Sequence, residues 1–229
     1  MTAYRFPGVG VLFFTGLSLL ISNVYGVPAS TSMTAVGAIV GLGLATGSLN
    51  EALMFTIVSA WIVAPLVGLV IGAVIGRYVY PQLEARLSFT RLERQLLQID
   101  RSGRVPRIRL NGNASPRDLI GSALVLGIAC YMGFSAGASN VANAVAPLVG
   151  NGSLDLYPAI LLGGGAIGLG AFTIARRTMD TVGNDLTDLP LLAALIVEVV
   201  SATLITFLSA IGIPASFVVI ATMSVIGLG

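Results

Sequence analysis

Apolar residues occur in long runs along the chain, separated by short polar segments and by one long charged segment. Five long runs are residues 6–25, 48–80, 119–148, 159–175 and 190–211. Most of them reach the roughly 20 residues that a helix needs to cross a bilayer. Two further apolar stretches, 26–43 and 212–229, have a proline near the start and are too short beyond it for a full crossing. The pattern predicts a bundle of membrane helices, with re-entrant hairpins or half-helices at the two interrupted stretches.

The composition agrees with this pattern. The 229 residues are 55% hydrophobic and 10% charged, which predicts an all-α, multi-pass integral membrane protein in the cell membrane. The chain has one cysteine, Cys130, and no histidine, so disulfide frameworks and histidine proton relays are excluded. No nucleophile and base pair, metal-ligand cluster or phosphate-binding P-loop is evident. We therefore predict that the protein is not an enzyme and holds no cofactor and no metal cluster.

The basic residues are concentrated in one segment. All 12 are arginine, and nine of them fall between Arg77 and Arg117. The positive-inside rule therefore places residues 81–117 in the cytoplasm as an arginine-rich linker. Leucines recur through this segment at near-helical spacing, which favours an amphipathic helix on anionic membrane lipids over nucleic-acid binding. We expect membrane lipids as partners and no nucleic acid.

The two interrupted stretches repeat one another. Residues 26–43 and 212–229 align without gaps and share G-x-P-A-S at the start and G-L-G at the end. Such pairs, placed in the two halves of a chain, are typical of secondary transporters with a binding site between the repeats. The predicted parts are the end of a first repeat (1–80, hairpin 26–46), the linker (81–117) and a second repeat (118–229, hairpin 212–229).

Residues 133–147, G-F-S-A-G-A-S-N-V-A-N-A-V-A-P, form an uncharged stretch of small residues after an apolar run. Its glycines and Pro147 weaken a helix, while Asn140 and Asn143 add donors and acceptors at bilayer depth. Polar groups there are tolerated where they are buried in protein or line a cavity, so we predict a broken helix at 133–148 around a site. The alternative is a small-residue face for helix packing, which explains the glycines but not the two amides.

Hydroxyl groups follow the proline of the first interrupted stretch. Ser30, Thr31 and Ser32 can cap the backbone N–H groups of a new helix, and the matching positions of the second stretch retain the first hydroxyl, Ser216. A helix start carries a positive partial charge, which favours a bound anion. These residues predict an anion site.

Glu198 is an acidic residue well inside an apolar run. Burying a charged group at such a depth costs ~2.5 kcal/mol or more on insertion scales, so Glu198 is a functional candidate. In the alternative interpretation, the neighbouring Ser201 and Thr203 satisfy the carboxyl as a structural link. The sequence leaves both interpretations open.

These motifs resemble those of the inorganic phosphate transporter (PiT) family of ion-coupled phosphate permeases. Residues 137–143, G-A-S-N-V-A-N, are similar to the family's repeated G-A-N-D-V-A-N and continue into A-x-x-P-L at 144–148. Residues 26–33 are similar to its G-x-P-x-S-T-T-H, and residues 181–189 to T-V-G-x-x-L-T-x-L. The resemblance covers most of the chain and implies inverted repeats and cation-coupled transport of phosphate.

The chain also departs from the family's pattern. Ser139 and Asn140 stand where the family has N-D, so a carboxylate expected to help hold a cation is missing from this motif. The first G-A-N-D-V-A-N copy is missing as well, so we expect a fragment, a chain completed by a partner, or a degenerate relative. The expected assemblies are a homodimer or an association with the missing part of the transporter.

We predict inorganic phosphate transport by alternating access, as symport with Na⁺ or H⁺. The predicted substrate-binding residues are Ser30, Thr31, Ser32, Asn140, Asn143 and Ser216. The predicted cation-coupling residues are Gly137, Ser139 and Asn140, with unwound carbonyls near Gly137 as ligands of a bound Na⁺. The alternatives are a non-transporting structural or regulatory membrane subunit and a transporter of another oxyanion such as sulfate.

Inverted repeats conflict with the simplest count of membrane crossings. One crossing each for residues 48–80 and 118–148 would place both hairpins on the same side of the membrane. We expect one of these counts to be wrong. The block around Pro65 is the first candidate, since it is too long for one untilted crossing and forms either one kinked helix or two short ones.

Overall fold

The computed structural model describes residues 5–27, 29–87, 98–100, 107–109, 116–173 and 189–229. Its helices are α1 (Arg5–Val24), α2 (Thr31–Thr46), α3 (Glu51–Val74), α4 (Tyr80–Leu87), α5 (Pro116–Gly150), α6 (Leu156–Thr173), α7 (Leu191–Ala210) and α8 (Phe217–Leu228). One π-helical turn, Ile75–Val79, connects α3 to α4 without a break. Two short antiparallel strands, β1 (Gln98–Asp100) and β2 (Arg107–Arg109), pair within the arginine-rich linker.

Four described helical segments are long and apolar enough to cross a membrane, namely Glu51–Ala85, Gly121–Gly150, Leu156–Thr173 and Leu191–Ala210. Large apolar side chains cover the outside of the bundle, where Phe55 is 76% and Phe172 is 85% exposed. Exposed apolar surface of this extent suits contact with lipid and not with water. The prediction of a helical, multi-pass membrane protein is confirmed, with a small two-stranded ribbon added to it.

The helix α5 is continuous from Pro116 to Gly150, so the predicted break at 133–148 is wrong. Neither Gly133 nor Gly137 has a positive φ. Pro147 lies in the last turn of the helix. Within a bilayer, an unwound backbone would lose hydrogen bonds that water cannot replace, and this cost outweighs the conformational freedom of the glycines.

The two proline-containing stretches form the tips and outgoing arms of helical hairpins. In hairpin 1, α1 runs to a tip between Val24 and Thr31, and α2 returns beside it. In hairpin 2, α7 runs to a tip between Ala210 and Phe217, and α8 returns. The runs 6–25 and 190–211 are therefore the incoming arms. Hydropathy cannot separate such an arm from a full crossing, because α1 and α7 are each 20 residues long.

The hairpins open at opposite ends of the bundle. The start of α1 lies against the end of α5, where Gly8 faces Pro147 and Asn151. The start of α7 lies instead against the first half of α5, where Leu195 belongs to a buried cluster that contacts Ile128. The tips of the two hairpins meet between these ends.

This arrangement removes the conflict in the crossing count. Pro65 is buried inside the continuous helical segment Glu51–Ala85, so that block is one helix and was not the source of the conflict. Buried proline is tolerated in membrane helices where neighbouring helices cover the altered backbone. The error lies in residues 190–211, which form an arm of hairpin 2 and not a separate crossing followed by a hairpin.

Close backbone contact between α3 and α8 holds hairpin 2 in place. Gly68 and Gly72 on α3 and Gly76 in the π-helical turn that follows recur every four residues and face α8. A Cβ on Gly72 would lie 2.5 Å from the carbonyl oxygen of Ser224. Small residues at this spacing allow two helix backbones to approach closely. The outgoing arm of hairpin 2 is therefore fixed to α3.

Several predicted segments lie outside the described residues. They are most of the arginine-rich linker and residues 174–188, which include all but the last residue of T-V-G-x-x-L-T-x-L. The cytoplasmic position of the linker and the division into repeats remain predictions.

Candidate functional site

Both hairpin tips are built in the same way. Gly26 and Gly212 end the incoming helices in the left-handed region, at φ values of 71° and 75°, which glycine adopts without steric cost. The next residues, Val27 and Ile213, each donate an N–H to the carbonyl oxygen five residues earlier, at 2.9 Å in both tips. The shared G-x-P-A-S sequence therefore encodes the same turn twice.

A serine begins the outgoing helix of each hairpin. Oγ of Ser30 accepts the N–H of Met33 at 3.2 Å, and Oγ of Ser216 accepts the N–H of Val219 at 3.3 Å. Such a cap satisfies one of the free N–H groups of a helix start and leaves the first two without an acceptor in the helix. Two helix ends with positive partial charge therefore lie at the tips.

The two helix starts and the middle of α5 enclose a cavity of about 250 Å³. Its polar lining residues are Ser30, Thr31, Ser32, Ser139, Asn140 and Ser216. Its remaining lining residues are Ala29, Met132, Ala136, Ile205, Ala215, Phe217 and Val218. Residues from both hairpins and from α5 thus share one cavity, with Thr31 and Asn140 together as the sequence predicts. Its volume exceeds the ~30 Å³ that one water occupies in the liquid, so it has room for a small polyatomic ion.

Ser32 joins both hairpins to α5. Its hydroxyl donates to the carbonyl oxygen of Ala215 at 2.7 Å and accepts from Nδ2 of Asn143 at 2.8 Å. Ser32 is only 3% exposed, which strengthens both hydrogen bonds and makes their loss costly. We call these three residues the tip latch. Asn143, predicted as a direct ligand, is not part of the cavity wall and instead holds Ser32.

Trp61 is a site residue that sequence reasoning missed, because a tryptophan in an apolar run suggests packing or a membrane interface. Its Nε1–H donates to the carbonyl oxygen of Pro214 at 2.7 Å, next to the carbonyl of Ala215 that accepts from Ser32. An indole N–H shielded from water needs an acceptor, and this requirement is the signal in the sequence that could have indicated a polar partner for Trp61. Trp61 therefore anchors the tip of hairpin 2 to α3.

A second group of hydroxyls joins α5 to the incoming arm of hairpin 2. Oγ of Ser135 donates to the carbonyl oxygen of Ala202 at 2.8 Å, and Oγ1 of Thr206 donates to Ser135 at 3.0 Å. Ser135 is 1% exposed and lies one turn before Ser139 on α5. This contact fixes the cavity-lining part of α5 against α7 and was not among the predicted ones.

Glu198 lies on α7, seven residues before Ile205 of the cavity wall. Seven residues are close to two helical turns, so the two residues share a face of α7. The structural link suggested for Glu198 is not formed, since the hydroxyl of Thr203 donates to the carbonyl of Val199 at 2.7 Å. The hydroxyl of Ser201 is buried without a partner in the described part of the chain. Glu198 is thus a half-buried carboxyl outside the cavity wall.

The predicted cation ligands are only partly brought together. Ser139 and Asn140 line the cavity, whereas Gly137 does not. Because the backbone around Gly137 is helical, the prediction that unwound carbonyls there bind a cation is wrong. Across the described residues, no three His, Cys, Asp or Glu side chains are placed to hold a metal ion.

Known proteins are similar in sequence to this chain over nearly its full length. The model of the phosphate transporter family matches residues 6–229. The chain is 30% identical over 213 residues to "Sulfate permease CysP" of Bacillus subtilis, which covers 93% of this chain and 53% of that protein. It is 24% identical over 277 residues to "Putative phosphate permease" of Helicobacter pylori, with 93% of this chain and 51% of that protein covered. The chain therefore spans about half the length of these two relatives.

The fold is also similar to that of a solved structure, a sodium-dependent phosphate transporter. The two structures superpose with a TM-score of 0.68 at 21% sequence identity, over 98% of this chain and 69% of that one. This likeness concerns the overall fold of the chain.

Proposed function

The chain belongs to the phosphate transporter family, and we propose that it carries inorganic phosphate, or sulfate of the same tetrahedral shape, across the membrane. The proposal rests mainly on the cavity that lies where the two hairpin tips meet α5. Substrate sites of transporters with paired broken segments lie at such a meeting point, near the middle of the membrane. On this account the protein is a transporter and not an enzyme.

The anion is held by neutral donors. The helix starts of α2 and α8 each supply two backbone N–H groups and about half a positive charge, which together offset much of the charge of the anion. Hydroxyls of Thr31 and Ser139 and the amide of Asn140 complete the wall. The residues of the tip latch position these groups, with Ser32 holding the start of α2 against the tip of hairpin 2.

Transport proceeds by alternating access. The two hairpins open at opposite ends of the bundle, so movement of one or the other arm exposes the cavity to one side at a time. Hairpin 2 is packed closely on α3, whereas hairpin 1 meets hairpin 2 through the hydrogen bond from Ser32 to Ala215. Breaking and forming the tip latch is the step that separates and rejoins the two tips.

A cation accompanies the anion. With the unwound carbonyls near Gly137 ruled out, Ser139 and Asn140 are the coupling residues that remain beside the anion. Their oxygens are hard ligands of the kind that suit Na⁺, and Glu198 on the same face of α7 as Ile205 is a candidate for a coupled proton. A cation held by these oxygens beside the oxyanion lowers the electrostatic cost of moving the anion through the membrane.

The test is uptake of radiolabelled phosphate and sulfate into proteoliposomes, with an inward Na⁺ gradient or an inward H⁺ gradient. We expect uptake of at least one anion, and we expect Thr31→Val to weaken it about tenfold or more, because a hydrogen bond to a charged group is lost. Valine has nearly the shape of threonine, so the packing of α2 is kept.

Thr56→Val is the matched control. Thr56 is exposed on α3 and its hydroxyl donates to the carbonyl of Ala52 within its own helix, outside the cavity wall. Its replacement should leave uptake unchanged. Equal uptake by the Thr31→Val protein and the wild type would remove this cavity from the transport path.

A further inference from the structure

The cavity wall that this chain supplies is rich in hydrogen-bond donors and contains no carboxylate. None of its described lining residues is acidic or basic, and Asn140 is the one side-chain amide among them. The wall therefore offers an anion many N–H and O–H groups but no charged acceptor. This excess of donors over charged acceptors affects which anions the cavity can bind.

The two capping serines act as donors toward the cavity. Oγ of Ser30 and Oγ of Ser216 each accept a backbone N–H from their own helix. Their hydroxyl protons are therefore free to point toward a ligand, since a hydroxyl has one donor and two acceptor positions. Ser32 differs, because its hydroxyl already donates a hydrogen bond to the carbonyl oxygen of Ala215.

Three further polar side chains of the wall have no partner of their own. Thr31, Ser139 and Asn140 make no side-chain hydrogen bond within the described part of the chain, although all three line the cavity. Ser139 is 8% exposed and its hydroxyl has no partner in the described part of the protein, so water or a ligand in the cavity is its partner. A wall with three such polar side chains suits a ligand that accepts their hydrogen bonds.

Tetrahedral oxyanions differ in the protons that they carry. At neutral pH sulfate and selenate carry none and only accept hydrogen bonds, whereas phosphate and arsenate carry at least one O–H that must donate. The acceptors of this wall are neutral hydroxyl and amide oxygens, which bind an O–H less strongly than a carboxylate does, and an O–H placed against a donor loses its hydrogen bond. The wall therefore favours the anions that carry no proton.

We propose that this site selects tetrahedral dianions without a proton, of the sulfate class, and that Asn140 sets this selectivity. The inference rests on the proposed function, because it concerns the same cavity. The neutral amide of Asn140 can turn its NH₂ group toward an unprotonated oxygen. The carboxylate of an aspartate at this position only accepts hydrogen bonds. It therefore repels sulfate but accepts a hydrogen bond from the O–H group of phosphate.

The experiment measures binding of sulfate, selenate, phosphate and arsenate to the purified chain in detergent at neutral pH. Calorimetry supplies the affinities, and the fluorescence of Trp61, the chain's one tryptophan, reports on the adjacent tip of hairpin 2. We expect sulfate and selenate to bind about tenfold or more tightly than phosphate and arsenate, the change that one unsatisfied buried hydrogen bond produces. In Asn140→Asp, we expect the order to reverse.

Asn50→Asp is the control for added charge. Asn50 caps α3 on the exposed surface, and aspartate is an equally good cap, so this variant adds the same charge without touching the cavity. It should keep the wild-type order of affinities. Asn140→Ser, which keeps a neutral group, should also keep that order and covers the case in which Asn140→Asp fails to fold.

The outcomes separate the two claims. If phosphate and arsenate bind the wild type as tightly as sulfate and selenate or more so, the selectivity inference is overturned and the proposed anion site stands. The inference is also overturned if a folded Asn140→Asp protein, or the Asn140→Ser protein, shows the opposite of its expected order. If none of the four anions binds, the proposed function fails and the inference fails with it.

Discussion

Replacing Ser32 with alanine is expected to lower anion uptake about tenfold to a hundredfold and to destabilise the fold by about 2 to 5 kcal/mol. The variant removes the hydroxyl that donates to Ala215 at 2.7 Å and accepts from Asn143 at 2.8 Å. Because Ser32 is only 3% exposed, a carbonyl and an amide in a poorly hydrated place lose their partner. Uptake into proteoliposomes and thermal unfolding in detergent measure the two effects.

Ser22→Ala is the control for Ser32→Ala. Ser22 lies on α1, where its hydroxyl donates only to the carbonyl of Ser18 in the same helix, and Ser22→Ala should change neither uptake nor stability by a measurable amount. Combining Ser32→Ala with Asn143→Ala should cost less than the sum of the single changes, because both remove the same contact. A Ser32→Ala protein with full uptake and unchanged unfolding would show that the tip latch does not join the hairpins.

Gly72→Ala is expected to destabilise the protein by about 1 to 3 kcal/mol and to lower Tm by several degrees. A Cβ at this position would lie 2.5 Å from the carbonyl oxygen and 3.2 Å from the carbonyl carbon of Ser224. These atoms belong to the backbone of α8, so no side-chain rotation relieves the overlap and the two helices must separate. Thermal unfolding followed by circular dichroism measures the loss.

Gly41→Ala is the control for the effect that replacing glycine with alanine has on helix stability. This glycine lies in the middle of α2, and a Cβ there meets nothing within 4 Å. Because alanine favours a helix over glycine by up to ~1 kcal/mol, Gly41→Ala should be neutral or stabilising. Equal unfolding temperatures for the Gly72→Ala and Gly41→Ala proteins would mean that α3 and α8 are not in close backbone contact.

The residues of the cavity were predictable because their chemistry is local. A serine after G-x-P-A is a strong helix cap, and the same five-residue pattern occurs at both tips, so Ser30 and Ser216 could be placed from the sequence. Asn140 stood out as an amide in an uncharged apolar segment, where polar groups need a protein or solvent partner.

The course of the backbone was harder to predict. Glycine and proline reduce helix propensity, but propensity does not report the cost of leaving backbone groups unpaired in lipid, so α5 stays intact through Gly133 and Gly137. Hydropathy likewise cannot distinguish an arm of a hairpin from a full crossing, since both are about 20 apolar residues long. For this reason α7 was predicted as a separate crossing and not as an arm of hairpin 2.

The pairings between distant residues could not be read from the sequence. Asn143 and Ser32 are 111 positions apart and Trp61 and Pro214 are 153 apart, and no periodicity connects residues at such separations. For this reason Asn143 was predicted as a ligand, whereas its amide holds Ser32. The hydrogen bonds that position a site depend on the packing of the whole bundle, while the caps that form it depend on a few neighbouring residues.

A crystal structure of the chain soaked with a heavy tetrahedral anion would show whether the cavity is the anion site. The anion is selenate or arsenate, whichever binds more tightly in solution, with diffraction data collected at the absorption edge of selenium or arsenic. We expect one anomalous peak inside the cavity, with the oxygens of the anion in hydrogen-bonding reach of Thr31, Ser139 and Asn140. An empty cavity at a saturating concentration, or a peak elsewhere in the bundle, would show that the anion does not bind there.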